Sequence, residues 1–132
     1  MNEGPKHEIR NRHEAKGSKR YDLEERTYQF AKDIRAFVKT LPRTIANEQD
    51  IKQLMRASGS VGANYIEANE SLSKKDFMMH IRISRKEAKE SRYWLRLLDT
   101  GEKESLEKTR NDLIQEAIEL TNIFGAIVRK SE

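Results

Sequence analysis

Apolar residues recur every three or four positions along most of the chain, which is the spacing of amphipathic helices. The first apolar stripe follows Asp22, a residue type favoured at a helix N-cap, and stops before Pro42. The pattern therefore predicts a first helix over residues 22–41. Its buried face is expected to contain the large residues Leu23, Phe30, Ile34, Phe37 and Leu41. No segment alternates with a period of two, so no strand is predicted.

Three further helices are predicted from the same spacing. The second covers about residues 47–69, and the fourth begins near residue 103. The third follows Ser73, which has Asp76 three residues later in a variant of the capping box, and continues to Leu98. Four amphipathic helices with short connections predict an all-α protein, folded as an antiparallel up-down four-helix bundle over residues 21–132.

The second helix contains the stretch ASGSVGANYIEANE, residues 57–70, in which two glycines interrupt a helical pattern. A glycine inside a helix costs about 1 kcal/mol relative to alanine, so a packing reason is expected. Helical spacing places Ser58 and Gly62 within the buried stripe, and small residues occupy the buried stripe of the third helix at Ser84, Ala88 and Ser91. We therefore expect the two helices to pack closely along facing rows of small side chains. A phosphate-binding loop is disfavoured because the stretch has no Lys and follows no strand.

The third helix is apolar over a wider arc than one bundle face requires. Beside its buried stripe lies a second apolar surface, here named the apolar flank, which consists of Met79, Ile83, Trp94 and Leu97. Exposed apolar patches of this kind usually mark interfaces, so the pattern favours a homo-oligomer. The expected interface comprises Ile83, Trp94 and Leu97 with the small residues Ser60 and Ala63 of the second helix. In the alternative interpretation, Trp94 folds over a loop of its own chain.

The remaining face of the third helix is basic. Residues 73–99 contain eight Lys or Arg against four Asp or Glu. The cations on one face, here named the basic stripe, are Lys75, Arg82, Arg85, Lys86, Lys89, Arg92 and Arg96. Such a stripe is either a solvated charged surface or a contact surface for nucleic acid, and an oligomer would multiply it into a larger positive surface.

Composition limits the class of protein. The chain of 132 residues is long enough for one domain, is 36% charged and has no cysteine, so disulfides and thiolate metal sites are excluded. Of the net charge of +4, residues 1–20 contribute +3. This segment is expected to be a disordered basic tail, either a nucleic-acid-binding arm or a leader. Because no apolar run is long enough to span a membrane, a soluble cytoplasmic protein is predicted.

Catalytic patterns are weak. His80 has Ser84 and Glu87 one and two helical turns later, but no orienting group or oxyanion donor completes a nucleophilic site. His80 is therefore interpreted as a packed, hydrogen-bonded residue. Bundle di-metal centres require Glu-x-x-His motifs, which do not occur here. The sequence predicts a protein without catalytic residues, metal or cofactor.

Two segments carry a family resemblance. QLMRASGSVGANYIEANESLSKKDFMMHIRISRKEAKESRYWLRLL, residues 53–98, and ELTNIFGAIVRK near the C-terminus resemble the small bacterial four-helix bundle proteins also called 23S rRNA intervening-sequence proteins. The similarity covers about residues 21–130. It implies a homopentameric ring and an association with nucleic acid, as in a related accessory protein of diversity-generating retroelements, which binds nucleic acid and a reverse transcriptase. Four residues match recurrent polar positions of the family and are expected to fix helix or subunit register: Arg56, Asn64, Glu67 and Glu87.

Together, these features predict a non-enzymatic, homo-oligomeric accessory protein that binds the phosphate backbone of RNA or DNA. The basic stripe and the basic tail are the expected contact surfaces. In the alternative hypothesis, the protein is a scaffold ring that recruits a partner protein, such as a reverse transcriptase or another nucleic-acid enzyme, and the charge serves only solubility.

Overall fold

The computed structural model describes residues 19–132, so the predicted basic tail lies outside the described residues except for its last two positions. These described residues form four helices and no strand, which confirms the all-α prediction. In chain order the helices are α1 (Lys19–Val38), α2 (Ile45–Asn69), α3 (Lys74–Leu97) and α4 (Glu104–Ser131). Consecutive helices pack against each other, and α1 also contacts α4, so the four helices enclose one core.

Neighbouring helices run in opposite directions. Asn69, at the end of α2, donates to Glu24 near the start of α1, whereas Arg35, near the end of α1, reaches the Met55 carbonyl in the first half of α2. The pairs His80–Asn64 and Arg56–Glu87 cross in the same sense between α2 and α3. This arrangement is that of an up-down bundle.

Helix starts follow the capping residues. Ser73 Oγ accepts a hydrogen bond from the Asp76 N–H at 3.1 Å, as predicted for the start of α3. Thr44 caps α2 in the same way by accepting from the Asn47 N–H, so α2 begins two residues before the predicted start. Helix α1 already includes Lys19, the first described residue, so Asp22 lies within the helix instead of capping it.

Helix α1 ends earlier than predicted, at Val38 instead of Leu41. The Thr40 and Leu41 N–H groups donate to carbonyls three residues back, at 3.0 and 3.4 Å, which tightens the last turn. A residue that precedes a proline disfavours the helical conformation, so Pro42 prevents Leu41 from continuing the helix.

The core is built from large apolar residues of all four helices. The Tyr65 and Phe124 rings lie 5.7 Å apart between α2 and α4. The fully buried large apolar side chains are Phe30, Ile34, Leu54, Val61, Ile81, Leu95, Leu120 and Phe124. Phe30 and Ile34 belong to the buried face predicted for the first helix, so helical periodicity identified the core-facing side of α1.

The predicted rows of small residues serve two different helix contacts. Ser84 is fully buried, and its Oγ donates to the Val61 carbonyl of α2 at 2.8 Å, so α3 does approach α2 closely. Gly62, however, faces α1 and not α3. A Cβ at this position would lie 2.8 Å from Thr27 Oγ1 and 3.1 Å from Thr27 Cβ. The expectation that Gly62 packs on the third helix is therefore wrong.

A buried ion pair joins α1 to α4, and no feature of the sequence pattern predicts it. Arg26 is 1% exposed; its Nε and Nη2 donate to the two Glu116 carboxylate oxygens at 2.7 and 2.9 Å, and Nη2 also donates to Glu119 at 2.7 Å. Burial by itself lowers the pKa of Arg26, but its hydrogen bonds and charge interactions with Glu116 and Glu119 outweigh burial and raise it above the ordinary value. The guanidinium therefore remains charged inside the bundle.

Gly62→Ala is expected to lower the free energy of unfolding by about 1–3 kcal/mol, because the added Cβ overlaps Thr27. Thr27 cannot move easily, since its Oγ1 donates within its own helix to the Leu23 and Glu24 carbonyls. Urea denaturation followed by circular dichroism measures the change.

Gly59→Ala is the matched control for this substitution. The nearest atom to a Cβ at position 59 is the flexible end of Arg35, at 3.3 Å. The free energy of unfolding should therefore stay unchanged or rise by up to about 1 kcal/mol, because alanine has the higher helix propensity. Equal destabilisation by Gly59→Ala and Gly62→Ala would contradict the assignment of Gly62 to a close helix contact.

Arg26→Met is expected to destabilise the protein by about 3–5 kcal/mol, because the buried Glu116 loses its ion pair with Arg26. The double variant Arg26→Met with Glu116→Met should recover most of this loss, since both charges are then removed. Arg43→Met, at an exposed position, serves as the control. A double variant as unstable as Arg26→Met would show that the ion pair is not the cause.

Candidate nucleic-acid interface on α3

The orientation of α3 is set by its small and apolar buried face. Ile81, Ser84, Ala88, Ser91 and Leu95 are all fully buried. Helices α2 and α4 cover the two sides of this face. The rest of α3 is turned outward, so the surface of the bundle here consists of the α3 side chains that do not fit a core.

All seven residues of the basic stripe lie on this outward surface and are exposed. Among the described residues, Arg82 alone of the seven has a carboxylate within ion-pair distance, that of Glu132 at 3.7 Å. Such a long, exposed pair offsets little charge. The basic stripe is therefore a largely uncompensated positive surface.

The positive surface continues onto α4. A Cβ placed on the buried Gly125 would lie 3.6 Å from Arg85 Nε and 3.5 Å from Arg129 Nη1, so the two guanidinium groups approach the same point of α4. Arg129 is exposed. It was not among the predicted binding residues, because its proximity to α3 depends on how the two helices pack.

The apolar flank borders the basic stripe. Met79 and Leu97 are 46% and 49% exposed, whereas Ile83 and Trp94 are half-buried, and Trp94 packs against the core. The Trp94 ring contacts a second aromatic ring that the sequence reasoning missed, that of Tyr93, which is 54% exposed. Exposed aromatic and aliphatic side chains thus lie beside the cations.

Two hollows run along this border. The larger, about 660 Å³, lies between Tyr93, Trp94 and the cations of the middle of α3. The smaller hollow, about 420 Å³, is lined by Met79 and Ile83 beside the cations of the first half of α3. Arg82 and Lys86 line both hollows, so the two form one surface.

Two of the predicted polar residues pair with each other between α2 and α3. Arg56 donates two hydrogen bonds to the buried Glu87, both at 3.2 Å, and a third to Glu90 at 3.0 Å. The hydrogen bonds with Glu87 raise the pKa of Arg56 above its ordinary value. This pairing aligns the two helices.

The other two predicted polar residues are separate from this pair. Asn64 binds His80 Nδ1 through its side-chain oxygen at 3.0 Å and donates to Ser60 Oγ at 2.9 Å. Glu67 is exposed, and its backbone carbonyl accepts from Ser71 Oγ. Ala63 is also exposed on α2, while Ser60 is half-buried.

His80, Ser84 and Glu87 do not form a catalytic relay. His80 binds Asn64, so it is a hydrogen-bonded structural residue as interpreted from the sequence. Ser84 donates to a backbone carbonyl, and Glu87 accepts from Arg56. Within residues 19–132, no group of three His, Asp or Glu side chains is arranged to hold a metal ion.

None of the four helices in residues 19–132 combines the length and hydropathy that crossing a membrane requires.

Comparisons with known proteins agree with the sequence resemblance. A family model described as 23S rRNA-intervening sequence protein matches residues 19–126. A crystal structure of a protein of unknown function from the S23 ribosomal protein family of Bacteroides thetaiotaomicron is similar, with a TM-score of 0.66 and 28% sequence identity. The similarity covers 80% of this chain and 97% of that one. No curated protein matches the chain. The chain therefore belongs to the 23S rRNA-intervening sequence protein family, which confirms the resemblance found in its helix motifs.

Proposed function

We propose that this protein is a non-enzymatic accessory protein that binds the phosphate backbone of RNA or DNA through the basic stripe. The observation that carries the proposal is the exposure of all seven stripe cations on one helix face, with little compensation by carboxylates. Lys and Arg arranged in this way neutralise phosphates and release counterions, which drives association with any nucleic acid.

The proposal includes weak sequence specificity. Specific readout of a duplex needs side chains placed against base edges in a groove, whereas the basic stripe offers flexible cations on a convex helix surface. Residues 1–20 carry a further charge of +3, and we assign them a supporting contact with phosphates.

Self-association is the second part of the proposal. The apolar flank leaves about half of Met79 and Leu97 in water, and the small side chains of Ser60 and Ala63 lie on the surface of the neighbouring helix α2. A second copy of the chain would cover these residues. We propose a homo-oligomer, with the pentameric ring that the family resemblance implies, acting in the cytoplasm and multiplying the basic stripe around its surface.

A protein-binding scaffold is the second candidate function. Residues 21–132 have a net charge of only +1, so positive charge is concentrated on α3 and the remainder of the bundle is slightly acidic. A ring of this kind would recruit a partner protein, such as a reverse transcriptase or another nucleic-acid enzyme, and its cations would serve solubility.

Replacing Arg82, Arg85, Lys89 and Arg96 with Gln should weaken binding to all sequences about equally and flatten the salt dependence. The slope of log binding constant against log salt concentration is about −0.9 for each phosphate neutralised on a duplex. Each lost contact therefore makes the slope less negative by about one. Fluorescence anisotropy with labelled RNA and DNA between low and physiological salt measures both quantities.

The matched control removes the same charge elsewhere. Lys32, Lys39, Arg43 and Lys52 are exposed cations of α1, α2 and their connection, and their replacement with Gln should leave binding nearly unchanged. Equal losses in the two quadruple variants would show that net charge, and not the basic stripe, drives binding. If the intact protein binds no RNA or DNA at low salt and micromolar concentration, the scaffold function is favoured.

Met79→Lys with Leu97→Lys should reduce self-association without unfolding the chain, because both side chains are already half in water. Sedimentation velocity of the unmodified protein is expected to show a species near five times 15.5 kDa, and a smaller one for the double variant.

Leu72→Lys, at a fully exposed position between α2 and α3, is the control and should not change the oligomer.

Trp94→Ala should also weaken assembly, by about 3 kcal/mol per subunit boundary, by analogy with the truncation of buried aromatic side chains. A protein that remains monomeric at tens of micromolar would disprove the oligomer.

A further inference from the structure

Tyr93 presents an aromatic ring to solvent from within the cationic surface. It is 54% exposed, and its ring centroid lies 5.0 Å from that of Trp94 with an interplanar angle of 77°. In such an edge-to-face pair, one ring directs its edge at the other. Whichever ring supplies the edge, Trp94 can cover at most one face of Tyr93. The other side of the contact is anchored in the bundle, because Trp94 itself packs against the core.

The surroundings of Tyr93 are cationic. The larger hollow is lined by Arg82, Arg85, Lys86, Lys89, Glu90, Tyr93 and Trp94. The one acidic side chain of this hollow, Glu90, accepts a hydrogen bond from Arg56 at 3.0 Å, so the charge of Glu90 is paired with a cation of α2. The remaining charges of the hollow are four cations, which gives this part of the surface a strong complement to phosphate.

Helix geometry arranges these groups in a row. Lys89, Lys86 and Arg82 precede Tyr93 by four, seven and eleven residues, which places all of them on nearly the same side of α3. With a rise of about 1.5 Å per residue, the row is roughly 16 Å long. That length accommodates a short stretch of one nucleic-acid strand with its phosphates along the cations.

We propose that this hollow binds a single-stranded segment of RNA or DNA, with one base stacked on the free face of Tyr93 and the flanking phosphates paired with Lys86, Lys89 and Arg82. This inference rests on the proposed nucleic-acid binding and specifies the form of nucleic acid that is bound. Combined aromatic platforms and cationic grooves are the usual means of binding single strands, and they tolerate many sequences because every base has a stacking face.

The same geometry disfavours a duplex as the ligand. Bases in a duplex are stacked on each other and expose only their edges, so a ring on the outer surface of α3 cannot stack on them without unpairing. Cations alone would serve a duplex equally well. The exposed ring beside them is the group that distinguishes a single strand, because burying it against a base removes apolar surface from water.

Tyr93→Ala tests the inference in the full-length protein. Three labelled probes of 12 nucleotides or base pairs are compared by anisotropy: a mixed-sequence RNA strand, the DNA strand of the same sequence, and the DNA duplex. Tyr93→Ala should weaken single-strand binding by about tenfold, as expected for the loss of one base–aromatic stack. The salt slope should stay unchanged, because no cation is removed. The two single-strand probes show whether RNA or DNA is preferred.

Two further variants control for the ring and for surface exposure. Tyr93→Phe keeps the ring and should retain single-strand affinity within about twofold. Tyr28→Ala removes the other strongly exposed tyrosine of the described residues, 57% exposed on α1, and should have no effect. Circular dichroism and sedimentation velocity confirm that each variant keeps the fold and oligomer size of the unmodified protein.

Trp94 provides an independent signal, because it is the single tryptophan of the chain and lines the hollow. Its fluorescence should change when an unlabelled single strand binds, and this change should saturate at the concentration found by anisotropy. Binding without any change of Trp94 emission would place the strand elsewhere and overturn the inference.

The outcomes separate this inference from the proposed function. If the stripe variants lose affinity but Tyr93→Ala does not, the inference is overturned and backbone binding stands. An equal loss of duplex and single-strand affinity in Tyr93→Ala, or a change of its oligomer size, also overturns the stacking site. If no probe binds the intact protein, the proposed function fails and the inference fails with it.

Discussion

The close contact of Ser84 with the backbone of α2 determines how α3 is rotated about its own axis. Its side chain is fully buried and donates to the Val61 carbonyl at 2.8 Å, and Ala88 and Ser91 continue the same buried row. A turn of one residue position would rotate the helix by about 100° and direct charged side chains at α2 or α4. Burying unpaired charges costs far more than any repacking could recover. The buried row of small residues therefore determines that the cations of α3 face outward.

The acidic residues of α3 complete this separation of charge. Glu87 and Glu90 both lie on the side toward α2, where Arg56 binds them. The carboxylates near the middle of α3 are thus paired with another helix, and the cations are left on the opposite side of the exposed surface. One interhelical interaction aligns α2 with α3 and also makes the outer surface of α3 more positive than its composition suggests.

Much of the fold could be predicted from the sequence, because local physics determines it. The 3.6-residue periodicity located four helices, Ser73 marked the start of α3, and the stripe cations were correctly expected to face outward. The contacts of Gly62 could not be predicted in the same way. At about 100° per residue it lies only about 40° from Ser58, so the pattern cannot decide which neighbouring helix it meets.

Two other features could not be predicted from the periodicity of the sequence. Arg26 looks like a surface cation by residue type, and its burial requires Glu116, ninety positions later. Tyr93 follows Lys86 and Lys89 on a cationic side of α3, and only the structure shows that its exposed ring contacts Trp94, which packs against the core. Both depend on tertiary contacts, which amphipathic periodicity does not encode.

The two interactions proposed for the surface of α3, self-association and phosphate binding, would respond to salt in opposite directions. Met79 and Ile83, on the apolar flank, line the smaller hollow together with Lys86, which also lines the hollow of Tyr93. Subunits that associate through the apolar flank bring like charges close together, and salt screens this repulsion. Phosphate binding by the same cations weakens as salt rises. If the protein binds nucleic acid and self-associates as proposed, the bound strand would supply counter-charge at the subunit boundary, and strand binding and assembly would then stabilise each other.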